Sequence, residues 1–281
     1  MRIIEQICEM QSWSENERCH GQRLGLVATM GFLHEGHLSL VRDAKRRGDR
    51  VVVSIFVNPA QFTPQEDFAS YPRDLERDRQ LLEREGIDVL FHPSVAEIYP
   101  EGYQTCVEVE KLGALLCGRF RPGHFRGVAT IVAKLFNIVR PHLAIFGYKD
   151  YQQLQIVRRL VRDLNLPIEI IAHPTVREPD GLAMSSRNAY LDPQERKAAL
   201  CLSRSLRLAE ALVCQGERRA RVILETVTGE LKKESLVRVD YVSLIDAESL
   251  QDVDQLEGPA VLALAVRIGA ARLIDNQVLN A

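Results

Sequence analysis

Short apolar runs alternate in the first part of the chain with longer segments whose apolar positions recur every three or four residues. Residues 24–29 (LGLVAT) read as a strand. Residues 38–47 read as a helix with Leu38, Val41 and Ala44 on one face. The run VVVSIFV over 51–57 is apolar throughout, as a parallel strand covered on both faces must be. A charged helix follows over 73–85, stopped by Gly86 as a C-terminal cap. Then come a strand at 88–91, an apolar helix at 128–139 and a strand at 143–146. Asp150 is placed to cap a helix running to 164, and a fifth strand falls at 168–172. Strands and helices in this order predict a parallel sheet with helices on both faces.

The pattern changes after His173. The segment REPDGLAMSSRNAYLDPQERKAA is polar and rich in helix breakers, and Asp192-Pro193 reads as a cap plus first helical residue. Helices are expected over 193–215 and 218–233, then strands over 237–245, 260–267 and 271–275. Short connections between the last strands predict a smaller α+β domain. The expected division is residues 1–174 and 175–281.

Composition narrows the partners. With 281 residues, 46% hydrophobic and 26% charged, the chain is that of an ordinary globular protein. A net charge of −2 supplies no global field for nucleic acid, and Lys45-Arg46-Arg47 reads as a solvated helix face. Cys8, Cys19, Cys106, Cys117, Cys201 and Cys214 form no C-x-x-C pair. They are expected to be reduced thiols in a cytoplasmic protein. No apolar run reaches the ~18 residues of a membrane span, and the first residues lack the apolar core of a signal peptide.

The chemistry gathers at strand ends. Ligands in an open α/β sheet sit beyond the carboxyl ends of the strands. The first such end opens MGFLHEGHLSL, which places His34 and His37 around Gly36 at a helix start. Free N–H groups and the positive end of the dipole there suit phosphate. Metal is the weaker alternative, since no third ligand lies nearby. FVNPAQF puts Asn58 and Gln61 past the second strand; FGYKDYQQL puts Gly147, Lys149, Asp150 and Gln153 past the fourth. Lys149 can act as a point charge on phosphate, while the glutamines are neutral and bond both ways. MSSRNAYL adds Ser185, Ser186 and Arg187 in a loop suited to close over a triphosphate.

These four motifs, with RPGHFRGVAT, closely resemble the pantothenate synthetase (pantoate–β-alanine ligase) family, in order from about residue 25 to 275. The family belongs to the nucleotidylyltransferase-like group, whose signature is H-x-G-H. The resemblance implies a Rossmann-like fold, Mg²⁺ with ATP as substrate, a cytosolic homodimer and two steps. Pantoate's carboxylate attacks the α-phosphorus of ATP; β-alanine's amine then attacks the acyl adenylate, giving pantothenate and AMP. Met30, Gly31, Phe32, Leu33, His34, Glu35, Gly36 and His37 match the family's ATP loop. His37 matches its proton donor, with His34 as a phosphate-contacting companion. Gly147, Tyr148, Lys149 and Asp150 match an ATP-binding turn, with Lys149 counted among the catalytic groups. Val176, Met184, Ser185, Ser186 and Arg187 match the adenine side and the triphosphate lid. Gln61 matches a contact to pantoate and β-alanine, and Gln153 the second pantoate ligand. Asp78 lies where a metal-associated carboxylate is expected, and Arg121 and His124 at the pocket edge. The chain departs from many members at Tyr148, where they have glutamate.

The residue types suit that chemistry. Neutral glutamines hold hydroxyls and a carboxylate without quenching its nucleophilicity, while cations collect where phosphate charge builds. Other adenylyl or cytidylyl transferases would share H-x-G-H without both glutamine motifs. A nucleotide- or RNA-binding module would need a basic patch with exposed aromatics, which the acidic balance opposes.

Overall fold

The computed structural model describes residues 1–64 and 66–280. Its chain begins with β1 (Arg2–Ile4), α1 (Ile7–Cys19), β2 (Leu24–Thr29), α2 (Glu35–Arg47) and β3 (Arg50–Ile55). It continues with α3 (Leu75–Glu85), β4 (Val89–Phe91) and three one-turn helices, α4 (Val95–Ile98), α5 (Glu110–Gly113) and α6 (Cys117–Phe120). Then follow α7 (His124–Val139), β5 (Leu143–Gly147), α8 (Tyr151–Asp163) and β6 (Glu169–His173). The last part holds α9 (Pro193–Ala199), α10 (Cys201–Cys214), α11 (Ala220–Leu231), β7 (Arg238–Asp246), β8 (Ala260–Ile268) and β9 (Ala271–Leu279).

Contacts divide the chain into two units. The first holds residues 1–113, 121–148 and 153–174. The second holds residues 175–281 together with 114–120 and 149–152, two short stretches that sequence order alone would give to the first.

The first unit is a six-stranded parallel sheet in the order β1-β4-β3-β2-β5-β6. Its strands are the expected ones plus β1, which pairs with β4 at the edge. A three-residue strand carries no readable alternation. Helix α1 was equally illegible, because only Met10 and Ser14 along it are buried. Helix α2 buries Leu38, Val41 and Ala44 as its period predicts, and these pack on Val27, Val53 and Ile145. Each such side chain contributes ~1.5–3 kcal/mol of burial, enough to hold the helix start fixed against the sheet. Gly86 closes α3 in the left-handed conformation at φ +63. From β2 the chain runs outward through β3 and β4, then returns to place β5 on the other side of β2. The ends of β2 and β5 therefore flank the switch point, where a crevice opens in folds of this kind.

The second unit is a three-stranded antiparallel sheet, β7-β8-β9, covered by α10 and α11. The helix expected over 193–215 breaks at Leu200 into α9 and α10. Asp192 caps α9 with bonds from Gln194 and Glu195 N–H, as the Asp-Pro pair predicts. β9 runs on to Leu279, beyond the five residues expected, because its whole length pairs with β8.

Candidate active site

In the first unit, the H-x-G-H loop leaves β2 through two consecutive left-handed residues, Gly31 (φ +82) and Phe32 (φ +50). A Cβ on Gly31 would lie 3.0 Å from Ile55 and 3.1 Å from the Asp78 carboxylate, so the turn needs glycine for space as well as for φ. Thr29 Oγ1 donates to Ser54 O at 2.8 Å and accepts from Gly31 N at 3.2 Å. Phe32 N and Leu33 N then donate to the two oxygens of Asp78, each at 2.7 Å. His34 occupies the N-cap of α2 in an extended conformation.

The two imidazoles stack with ring centroids 4.0 Å apart. His34 N–H donates to His37 Nδ1 at 3.3 Å. A nitrogen that accepts carries no proton, so neutral His37 holds its proton on Nε2. That leaves an N–H donor on the far side of the ring, at a helix N-terminus.

Gln61 sits in the 3-10 turn Pro59–Gln61 after β3, and its amide orientation is determined by the backbone. Asn58 Oδ1 accepts from Ala60 N at 3.2 Å, and Asn58 Nδ2 donates to Gly127 O at 3.1 Å. Backbone partners cannot exchange roles, so Asn58 must present Nδ2 to Gln61, and Gln61 must answer with Oε1, at 3.2 Å. Gln61 Nε2 is thereby turned to Met30, 2.8 Å from Sδ. Tyr99 OH donates to Asn58 Oδ1 at 2.8 Å, and burial pushes the Tyr99 hydroxyl well above its usual range. Sequence reasoning missed Tyr99, which lies in a motif-free stretch.

Arg121 and His124, expected at the pocket edge, hold this turn by its backbone. His124 Nδ1 meets Gln61 O at 2.8 Å, and Arg121 Nη2 donates to the same oxygen at 3.4 Å while pairing with Glu66. The second glycine of RPGHFRGVAT, Gly127, is required because a Cβ there would stand 2.2 Å from Ala60 O. Gly147 ends β5, with half-buried Tyr148 after it; Gln153 is half-buried on α8.

Asp78, expected beside a metal, also meets the loop's main chain. Its side chain is 1% exposed, and both oxygens accept main-chain N–H groups. Burial pushes its carboxyl above the usual range, against the opposing pull of the Leu33 and Phe32 amides. Among the described residues no three His, Cys, Asp or Glu side chains cluster as a metal site.

The second unit organises the remaining predicted residues on β9. Lys149 lies 3.4 Å from Asp150, and its carbonyl accepts from Asn276 Nδ2 at 2.8 Å. The neighbouring Asp275 takes both arms of Arg177, at 2.6 and 3.0 Å. Arg177 pairs with Ala183, and Met184 N donates to Val176 O at 3.0 Å, so Val176 and Met184 face each other across a small hairpin. Ser185 caps the 3-10 turn Ser186–Tyr190, accepting from Arg187 N at 3.3 Å. Asn188 ties that turn back to Ala183 O and to Glu178, at 3.1 and 2.9 Å. The stretch expected to close over a triphosphate makes these bonds within its own unit. Asp275 and Asn276 were missed, although two adjacent buried polar residues in an apolar strand were a readable signal.

The pantoate-beta-alanine ligase family model matches residues 2–278. The chain belongs to the pantoate-beta-alanine ligase family. It is 57% identical over 280 residues to a pantothenate synthetase of Thermotoga neapolitana, covering 100% of both chains. Against the crystal structure of pantothenate synthetase from Thermus thermophilus it gives a TM-score of 0.95 at 47% identity, again covering 100% of both. A third relative is the pantoate-beta-alanine ligase of Francisella tularensis, solved as a complex with beta-gamma ATP and beta-alanine. It matches with a TM-score of 0.82 at 35% identity, over 99% of this chain and 97% of that one. The pantoate-beta-alanine ligase fold thus accounts for both the six-stranded parallel sheet and the three-stranded antiparallel one.

Proposed function

We propose that the chain activates pantoate with ATP as pantoyl adenylate and then transfers the acyl group to β-alanine, yielding pantothenate, AMP and pyrophosphate. The observation that carries this reading is the His34–His37 pair at the start of α2, with the His37 proton held on Nε2. An Nε2–H donor beside free helix N–H groups meets the charge that builds on phosphate as pantoate's carboxylate attacks.

Gln61 and Gln153 bind pantoate in this scheme, Gln61 through the N–H groups of Nε2, the atom that Asn58 leaves facing Met30. Donors alone grip a carboxylate and a hydroxyl while leaving the carboxylate its lone pairs for attack. Gln61 serves β-alanine in the second step. Lys149, Ser185, Ser186 and Arg187 take the triphosphate, and Val176 and Met184 the adenine. Asp150 and the main chain of Gly147 and Tyr148 complete the nucleotide turn, so a tyrosine can stand for the family's glutamate there. Mg²⁺ enters as part of the nucleotide, neutralising phosphate charge; the described residues offer it no cage of their own, and Mg²⁺ commonly rests on phosphates and water. Residence in the cytoplasm and a homodimeric state belong to the same proposal. Among the described residues no helix is long and apolar enough to cross a membrane.

The deciding experiment is exchange of labelled pyrophosphate into ATP. Exchange should require pantoate, be indifferent to β-alanine and fail with unrelated hydroxy acids. Exchange without pantoate, or none with it, would overturn the reading.

A further inference from the structure

Two of the contacts that hold the segment carrying both histidines from outside come from α3. At its entry, Asp78 receives Phe32 N and Leu33 N at 2.7 Å each. Further along, Arg42 of α2 joins Glu35, in the first turn of its own helix, to Glu85 near the end of α3, with Arg42 Nε 3.0 Å from Glu85 Oε2. Asp78 and Leu82 stand one turn apart on α3 and are both buried, so the carboxylate rides on the face that packs inward.

The loop needs such a hold. Phe32 adopts φ +50, a region that L residues with large side chains enter only when the surroundings impose it. A cavity of about 300 Å³ borders this side of the loop, lined by Gly31, Phe32, Ile55, Asp78, His92 and Val95. The pair of hydrogen bonds to the Asp78 carboxylate, stronger than neutral ones and aimed at successive amides, holds the turn there. Arg77 closes over the arrangement, 5.2 Å above the Phe32 ring and 3.6 Å from Asp78 Oδ1.

We propose that Asp78 is a positioning residue for adenylate formation: its two oxygens lock the Phe32 and Leu33 amides and so fix where the His34 and His37 imidazoles stand. Leu33 directly precedes His34, whose N–H in turn sets the His37 ring. A shift at Leu33 therefore moves the capping residue and the His37 ring together. This inference rests on the reading of the loop as the one that meets ATP, and it gives Asp78 a role other than metal binding.

Asp78→Asn keeps shape and volume but puts an NH₂ opposite one of the two amides. Adenylate formation in a single turnover should fall about 10²-fold, as misplacement of reacting groups does, with little change in the KM for either substrate. The Mg²⁺ concentration for half-maximal rate should stay where it is in the unaltered enzyme. The ¹⁵N shift of His37 Nδ1 should move toward that of an imidazole without its amide donor. Recovery of the rate at high Mg²⁺ would make Asp78 a metal ligand and overturn the proposal, as would an unchanged rate. Should the variant not fold, hydrogen exchange on the unaltered enzyme decides. The Phe32 and Leu33 amides should exchange slowly although they belong to no helix or strand, and fast exchange at both would also overturn it. Pyrophosphate exchange by the unaltered enzyme tests the reading of the loop separately from its anchoring.

Discussion

The main-chain N–H of His34 donates to Nδ1 of His37 at 3.3 Å, and this bond decides which nitrogen of His37 can serve a substrate. In neutral His37 the proton then sits on Nε2, so that nitrogen can act only as a donor. Substituting His37→Ala should slow adenylate formation by roughly 10²–10³-fold, the ~2.7–4 kcal/mol that a lost donor costs in comparable sites. Rapid-quench single turnovers measure it, with circular dichroism to check the fold. An unchanged rate removes His37 from the reaction.

Asn58 should matter without touching the acid. Its backbone-fixed amide is what turns Gln61 Nε2 away from Asn58 and toward Met30. With Asn58→Ala the Gln61 amide can rotate and offer its oxygen to a carboxylate. Pantoate binding should weaken by ~1–3 kcal/mol, the cost of an unsatisfied polar group, while ATP binding changes little. Titration calorimetry with each ligand tests this, and equal losses for both would assign Asn58 to folding alone.

Acid stability should depend on Asp43. Burial alone would raise its carboxyl, but hydrogen bonds from Arg47, His173 and Arg46 hold it below the usual range. The Nδ1 atom of His173 on β6 lies 3.2 Å away, so the carboxylate joins α2 to the sheet. A depressed carboxylate contributes stability that is complete above the unfolded value, about 3.9, and fades as pH falls through the lower folded value. Asp43→Asn should therefore cost ~1–3 kcal/mol at pH 6, with a gap to the unaltered protein that narrows below about pH 4. Denaturant melts at several pH values report it. A gap that stays constant down to pH 2 would mean that charge plays no part.

Arg177 should control the segment that carries Ser185, Ser186 and Arg187. Its bidentate pair with buried Asp275 pins the base of the hairpin. Arg177→Ala leaves that carboxylate buried without a cation, with the Asn276 N–H still donating to it, at a cost of ~3–5 kcal/mol to the second unit. Hydrogen exchange should quicken across residues 180–190 more than in α10, and more AMP should form per pantothenate as adenylate escapes to water. If exchange rises equally in both places, the pair is general scaffolding.

The sequence by itself determined the alternation of strands and helices, the buried face of α2, the caps at Gly86 and Asp192, and the motifs that name the family. These are local or short-period properties: φ at a glycine, a side-chain oxygen over a helix start, apolar residues three and four apart. Strand β1 and helix α1 escaped because three residues show no period and a helix burying only two residues shows almost none. Only the tertiary structure decided what the motif residues do to one another. Asp78 is far from Phe32 in sequence, and only the fold brings the Phe32 and Leu33 amides to its carboxylate. The second glycine of RPGHFRGVAT, Gly127, gains its meaning from Ala60 O, and the orientation of Gln61 comes from a chain of bonds that ends on the backbone of another helix. Hydrogen bonds between distant segments leave no periodic trace in a sequence. Residue type records that a polar group is present, and the fold alone chooses its partner.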